Sequence, residues 1–170
     1  ETAAKSEAKE AGAESSGQET SKAAGAEEAD ASGETYQIGV LQLVQHDALD
    51  AATKGFEDAI TEKMGDSVKF DEQNAQGDSN TCSTIINSFV SEGADLILAN
   101  ATASLQAAAA GTSDIPILGT AVTEYGVALG IDDFDGTVGG NISGTSDLAP
   151  LDEQADMLHE LFPDAKNVGL

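Results

Sequence analysis

Ile38-Gly39-Val40-Leu41-Gln42-Leu43-Val44 is the stretch whose reading decides the fold. It is short, rich in branched aliphatic residues and bounded by polar ones, which is the pattern of a strand buried on both faces of a parallel sheet. Immediately after it, Asp47 opens a helix with Asp50 three residues on. The apolar stripe of that helix is Leu49, Ala52, Phe56, Ala59, Ile60 and Met64 at steps of three and four, and Gly65 ends it. Val68-Lys69-Phe70 reads as a second strand. Asp78 caps a second helix with Cys82, Ile85, Ile86, Phe89 and Val90 turned inward and Gly93 as its stop. Asp95-Leu96-Ile97-Leu98-Ala99 is a third strand, the Ala-rich residues 103–110 a third helix that packs closely on a sheet, and Ile115-Pro116-Ile117-Leu118-Gly119 a fourth strand. Strand and helix alternate at intervals suited to right-handed crossovers, so the fold class is α/β, a parallel sheet with helices on both faces.

Past Tyr125 the periodicity weakens. Asp132, Asp133 and Asp135 form an acidic loop without the twelve-residue pattern or terminal Glu of a calcium site, so no metal is expected there. Gly139-Gly140-Asn141-Ile142-Ser143-Gly144 reads as a crossing strand or hinge, with Gly139, Gly140 and Asn141 as the hinge residues. Pro150 opens a further helix carrying Leu151, Ala155, Leu158, Leu161 and Phe162, Pro163 follows its end, and residues 167–170 look like the start of another strand. The expected organisation is a tether over residues 1–34, an N-terminal ligand-binding lobe over 35–143, and a hinge exit with the truncated start of a second lobe over 144–170.

Residues 1–34 contain no Val, Ile, Leu, Met or aromatic side chain and cannot bury a core. As a random coil they would hold their ends roughly 30 Å apart, enough to lift a domain off a surface. Across 170 residues the formal charge is −24, from 31 acidic and 7 basic side chains, and every basic residue is Lys. Without Arg the bidentate fork that reads guanine edges and clamps phosphates is missing, and the charge repels nucleic acid and anionic membranes alike. No apolar run reaches the length of about 18 residues needed to span a bilayer. The single thiol, Cys82, can build neither a disulfide framework nor a structural zinc site. The chain begins with Glu1 and stops just after Val168-Gly169-Leu170 has begun an apolar run, so it reads as a piece of a longer protein.

The runs Ile38 to His46, Asn74-Ala75-Gln76-Gly77-Asp78, Asp95 to Ala99, Ile115 to Thr123, Gly139 to Asp147 and Leu161 to Lys166, in order, resemble a bacterial family of ABC-transporter substrate-binding proteins of the periplasmic-binding-protein class I type. The resemblance implies two α/β lobes that close over a small solute and deliver it to an ABC permease in the membrane. It implies an amino acid as ligand, aromatic ones foremost, and an extracytoplasmic location, either periplasmic or as a cell-surface lipoprotein whose lipidated Cys lies upstream of a tether such as residues 1–34. A complete member is expected to be monomeric.

Sheets of this class bind ligands outside the carboxyl ends of their strands. Thr102 and Ser104, at the start of the third helix, are the first choice for an amino-acid carboxylate, with N-capping of that helix as their other role. Ala121, Val122 and Thr123 follow the fourth strand and offer a hydroxyl and backbone groups, or plain turn chemistry. Gln45 and His46 follow the first strand, and Asp147 is placed to pair with a ligand ammonium or to act as a turn residue before Pro150. Motifs of phosphate, dinucleotide, nucleophile-elbow and zinc-protease sites are all missing, so no cofactor and no catalysis are expected. The competing readings are a ligand-sensing ectodomain on the same fold and one half of an α/β enzyme.

Overall fold

The computed structural model describes residues 35–169; the tether expected at 1–34 lies outside the described residues. In chain order the elements are β1 (Tyr36–Gln42), α1 (Asp47–Met64), a short 3-10 turn (Gly65–Ser67), β2 (Val68–Asn74), α2 (Ser79–Glu92), β3 (Leu96–Asn100), α3 (Thr102–Gly111), β4 (Ile117–Val122), α4 (Tyr125–Leu129), β5 (Ile142–Ser146) and α5 (Leu151–Leu161). The strands form one sheet in the order β2-β1-β3-β4-β5, parallel at every pairing. The α/β class read from the alternation is the observed one.

Successive side chains of a strand point to opposite faces, and here both faces are apolar. Ile38, Val40 and Leu98 lie under Phe56 and Ile60 of α1. Leu41, Ile97 and Ala99 turn the other way, against Cys82, Ile86 and Phe89 of α2 and Leu105 and Ala108 of α3. Gly39 belongs to this second face: a Cβ there would stand 2.5 Å from the Phe89 ring, so the missing side chain lets the ring lie directly on the strand. Asp78 caps α2 as the sequence predicts, accepting from the Thr81 N–H at 2.7 Å. That bond holds its carboxyl below the usual carboxylate range. The cap of α1 is His46 rather than Asp47: its Nδ1 accepts from the Ala48 N–H at 3.2 Å.

The glycine-rich segment departs from expectation. Ile142 stands opposite Ile117, the first residue of β4, so β5 starts at the amino edge of the sheet and runs parallel to the rest. Gly139 and Gly140, at φ +77° and +62°, turn the chain into that strand. The Asn141 amide donates to the carbonyls of Thr112 (3.2 Å) and Ile115 (2.7 Å), and its own carbonyl accepts from Ile117 N. Gly139, Gly140 and Asn141, expected as a hinge, thus fasten the start of β5 at the amino edge of the sheet, opposite the strand tips. The sheet continues through Ser146, past the expected boundary at residue 143, and the chain leaves its carboxyl edge through residues 147–150. No strand forms over 167–169, and Leu170 lies outside the described residues. Helix α5 is where the proline and the apolar spacing put it, with Leu151, Leu161 and Phe162 all more than 60% exposed.

Candidate functional site

Strand register aligns a row of polar residues where the apolar sheet ends: Gln42 is opposite both Asn74 and Asn100, and Asn100 is opposite Thr120. Beyond the row the backbone is strained. Gln76 after β2, Ala101 after β3 and Ala121, the penultimate residue of β4, all have positive φ (54°, 90° and 52°), a region that a residue with a Cβ enters only at a cost. At Ala101 the pair φ 90°, ψ 160° is reached in one step between β3 and α3, held by a bond from its own N–H to the Thr120 carbonyl (3.0 Å) and by its carbonyl receiving Leu105 N–H (3.0 Å). Helix α3 consequently begins with no side-chain cap, and its first N–H groups open onto the sheet edge. We expect Ala101→Gly to raise the unfolding free energy by about 1 kcal/mol, because relief of a conformation worth of order 1–3 kcal/mol exceeds the added freedom of the unfolded chain; urea denaturation measures it, and a loss of stability would show that no strain is stored there.

An open groove of about 540 Å³ lies along this edge, lined by Val44, His46, Ala48, Leu49, Ala52, Thr120, Ala121 and Asp147. It brings together three of the residues singled out in sequence: His46, Ala121 and Asp147. Asp147 is exposed at the rim, its N–H bonded to the Val122 carbonyl at 3.3 Å. Thr102 is exposed at the first position of α3, on the same edge but outside this groove. Gln45 instead faces a separate polar recess with Asp50, Glu57, Glu72 and Asn74. There, burial and then the Glu72 and Asp58 charges push the Glu57 carboxyl up. Thr123 opens onto a third recess beside Tyr125 and Phe134.

Two of the expected contacts, Ser104 and Val122, lie in the core. Ser104 is fully buried, without a hydrogen-bond partner for its hydroxyl, and it sits beside the Cys82 thiol under α2. The reason is helical: Ser104, Leu105 and Ala108 form the inward face of α3, and Thr102 lies about 200° round the axis from Ser104. Val122 is likewise fully buried among Leu105, Ile117 and Tyr125, because an irregularity in β4 between Gly119 and Val122, where Ala121 has positive φ, breaks the alternation and returns residue 122 to the face of Ile117. Burial pushes the Cys82 thiol up, which keeps it protonated and unreactive.

The feature that sequence reading missed is a buried polar cluster joining α1 to the ends of β1 and β3, two of whose members, Gln42 and Thr53, border the polar recess of Gln45. Gln42, Thr53 and Asn100 are at most 3% exposed. Thr53 Oγ1 donates to Gln42 Oε1 (2.8 Å) and accepts from Asn100 Nδ2 (2.9 Å); Asn100 Nδ2 also reaches the Leu49 carbonyl (2.9 Å), and Gln42 Nε2 reaches Asp50 Oδ1 (2.6 Å) and the Val44 carbonyl (3.0 Å). The available signal was a polar residue within the first apolar strand run, Gln42, and one closing the third, Asn100, with Thr53 on the sheet side of a helix otherwise apolar there.

The family model described as ABC transporter substrate binding protein matches residues 37–170. The chain is 46% identical over 136 residues to a tyrosine-binding protein of Clostridioides difficile strain R20291, covering 78% of this chain and 39% of that relative. Among solved structures, a ligand-free, open substrate binding protein with adhesive properties from Clostridium difficile is 43% identical, with a TM-score of 0.68 over 78% of this chain and 45% of that one. An ABC domain in complex with L-Trp from Streptococcus pneumoniae is 34% identical, with a TM-score of 0.70 over 77% of this chain and 45% of that one. The chain thus spans about two fifths of the length of the curated relative. Matched by the family model over nearly all of its described residues, and sharing the sheet with solved relatives, the chain belongs to the ABC transporter substrate-binding protein family.

Proposed function

We propose that this chain forms one wall of a two-lobed extracytoplasmic receptor that closes over a free amino acid, an aromatic one foremost, and hands it unchanged to an ABC permease. The observation that carries the reading is the clustering of non-glycine positive-φ residues, Gln76, Ala101 and Ala121, at one edge of the sheet. Strain retained at several neighbouring strand tips marks backbone positioned for something other than stability. The uncapped start of α3 with the Thr102 hydroxyl suits a ligand carboxylate, and the Asp147 carboxylate at the groove rim suits an ammonium. Val44, Leu49 and Ala52 give the groove an apolar wall on which a ring can rest.

Residues 147–150, where the chain leaves β5, are the crossing toward the second lobe in this reading, and residues 1–34 serve as a tether to a lipid anchor. The names of relatives that bind tyrosine and tryptophan support the aromatic class. A thermal-shift panel of the twenty amino acids, small peptides, sugars and purines on the complete receptor tests the proposal. L-Tyrosine or L-tryptophan at about 100 times Kd is expected to add about 2.7 kcal/mol to the folded state and raise the melting temperature by several degrees. A panel in which sugars or purines shift the transition and no amino acid does would overturn it.

A further inference from the structure

We propose that Thr53, which does not itself line the groove, is a positioning residue for ligand binding; the inference rests on the amino-acid-binding reading above. The Thr53 hydroxyl has a single proton. It is committed to Gln42 Oε1, and the oxygen receives Asn100 Nδ2. That one hydroxyl therefore bridges two buried amides, and it sets their orientation together with Asp50 Oδ1 for Gln42 and the Leu49 carbonyl for Asn100. The amide groups left over point at the carbonyls of Val44 (from Gln42) and Leu49 (from Asn100), and both Val44 and Leu49 are walls of the groove. A flip of Asn100 would set its oxygen against the Leu49 carbonyl, so the arrangement has one allowed sense. Through Asn100 the same hydroxyl bears on the residue next to the strained Ala101, where α3 starts. Among the described residues Asn100 Oδ1 is buried without a partner, so loss of the Thr53 acceptor leaves this amide held by the single bond from Nδ2 to the Leu49 carbonyl. Thr53 thus ties the first turns of α1 to the tips of β1 and β3 and sets the spacing of the groove's apolar wall.

The test compares Kd for L-tyrosine and L-tryptophan in the complete receptor among the parent protein, Thr53→Val, Thr53→Ser and Ile86→Val. Thr53→Val keeps the shape and removes the hydroxyl; Thr53→Ser restores it; Ile86→Val weakens the core on the opposite face of the sheet. Thr53→Val is expected to bind at least fivefold more weakly, with Thr53→Ser and Ile86→Val within fivefold of the parent. Should Thr53→Val not give a cooperative thermal transition, Thr53→Ala takes its place with the same thresholds. A loss of less than fivefold in the hydroxyl-free variant, an equal loss in Ile86→Val, or failure of Thr53→Ser to restore binding overturns the positioning role while leaving the amino-acid reading intact. A parent protein that binds neither ligand overturns the amino-acid reading itself and this inference with it.

Discussion

Gly144→Ala is expected to cost about 3 kcal/mol and to loosen β5 from the sheet. A Cβ on residue 144 would fall on the backbone carbonyl oxygen and amide nitrogen of Gly119 as well as on the Tyr125 hydroxyl. Backbone in a paired strand has nowhere to retreat. Gly119→Ala meets a different obstacle, the Tyr125 ring and hydroxyl alone. Tyr125 is nearly buried, its hydroxyl donating to the Thr145 carbonyl at 3.2 Å across the two glycines. The two substitutions therefore separate. Tyr125→Phe, which removes the hydroxyl at a cost of about 1 kcal/mol, is expected to recover part of the Gly119→Ala loss, with a coupling of about 1 kcal/mol, and nothing of the Gly144→Ala loss. Urea denaturation of the three single and two double variants, with amide exchange read at β5, checks it. Equal rescue of both glycine variants would show that Tyr125, and not the β4 backbone, is what excludes the side chain at residue 144.

Residues 1–170 alone are expected to bind L-tyrosine or L-tryptophan at least 100-fold more weakly than the complete receptor, a difference of about 2.8 kcal/mol. The groove at the strand tips is open, and a ligand resting in it keeps its far side in water. In a two-state clamshell the ligand stabilises the closed form only through contacts with both lobes, so one wall supplies only part of the binding free energy. Isothermal calorimetry on both chains measures the difference. Equal affinities would place the whole site on this sheet and end the two-lobe account.

The parts of the molecule that could be read from residues alone are those governed by periodicity along a single element. The apolar run at β1, the stripes of α1 and α2, Asp78 as a cap and Pro150 at the start of α5 each follow from local spacing. Their alternation yields the parallel sheet because crossover handedness leaves few other solutions. The positions near the strand tips were also legible as a region, since ligand sites in such sheets follow from topology. Within that region the individual side chains were not. Ser104 and Val122 share their segments with Thr102 and Ala121, and only the rotation of α3 and the break in the pleat of β4 at Ala121 send them into the core.

The glycine pair at 139–140 illustrates the same limit. Two consecutive glycines announce a backbone that must turn, but a turn inside a domain and a pivot between domains look alike in sequence; it is the pairing of Ile142 with Ile117 and the two bonds from Asn141 that place this one at the amino edge. The cluster of Gln42, Thr53 and Asn100 lay hidden for a related reason, since its members are separated by up to 58 positions and meet only when α1 lies across β1 and β3. The sequence by itself determined β1 to β4, α1 to α3 and α5, their order and the parallel class of the sheet, because those depend on near-neighbour periodicity and chain handedness. Which side chains face the carboxyl edge of the sheet, and which polar groups beneath it hold one another in place, was decided by tertiary packing alone, because a hydrogen bond between buried groups exists only once distant segments have excluded water together.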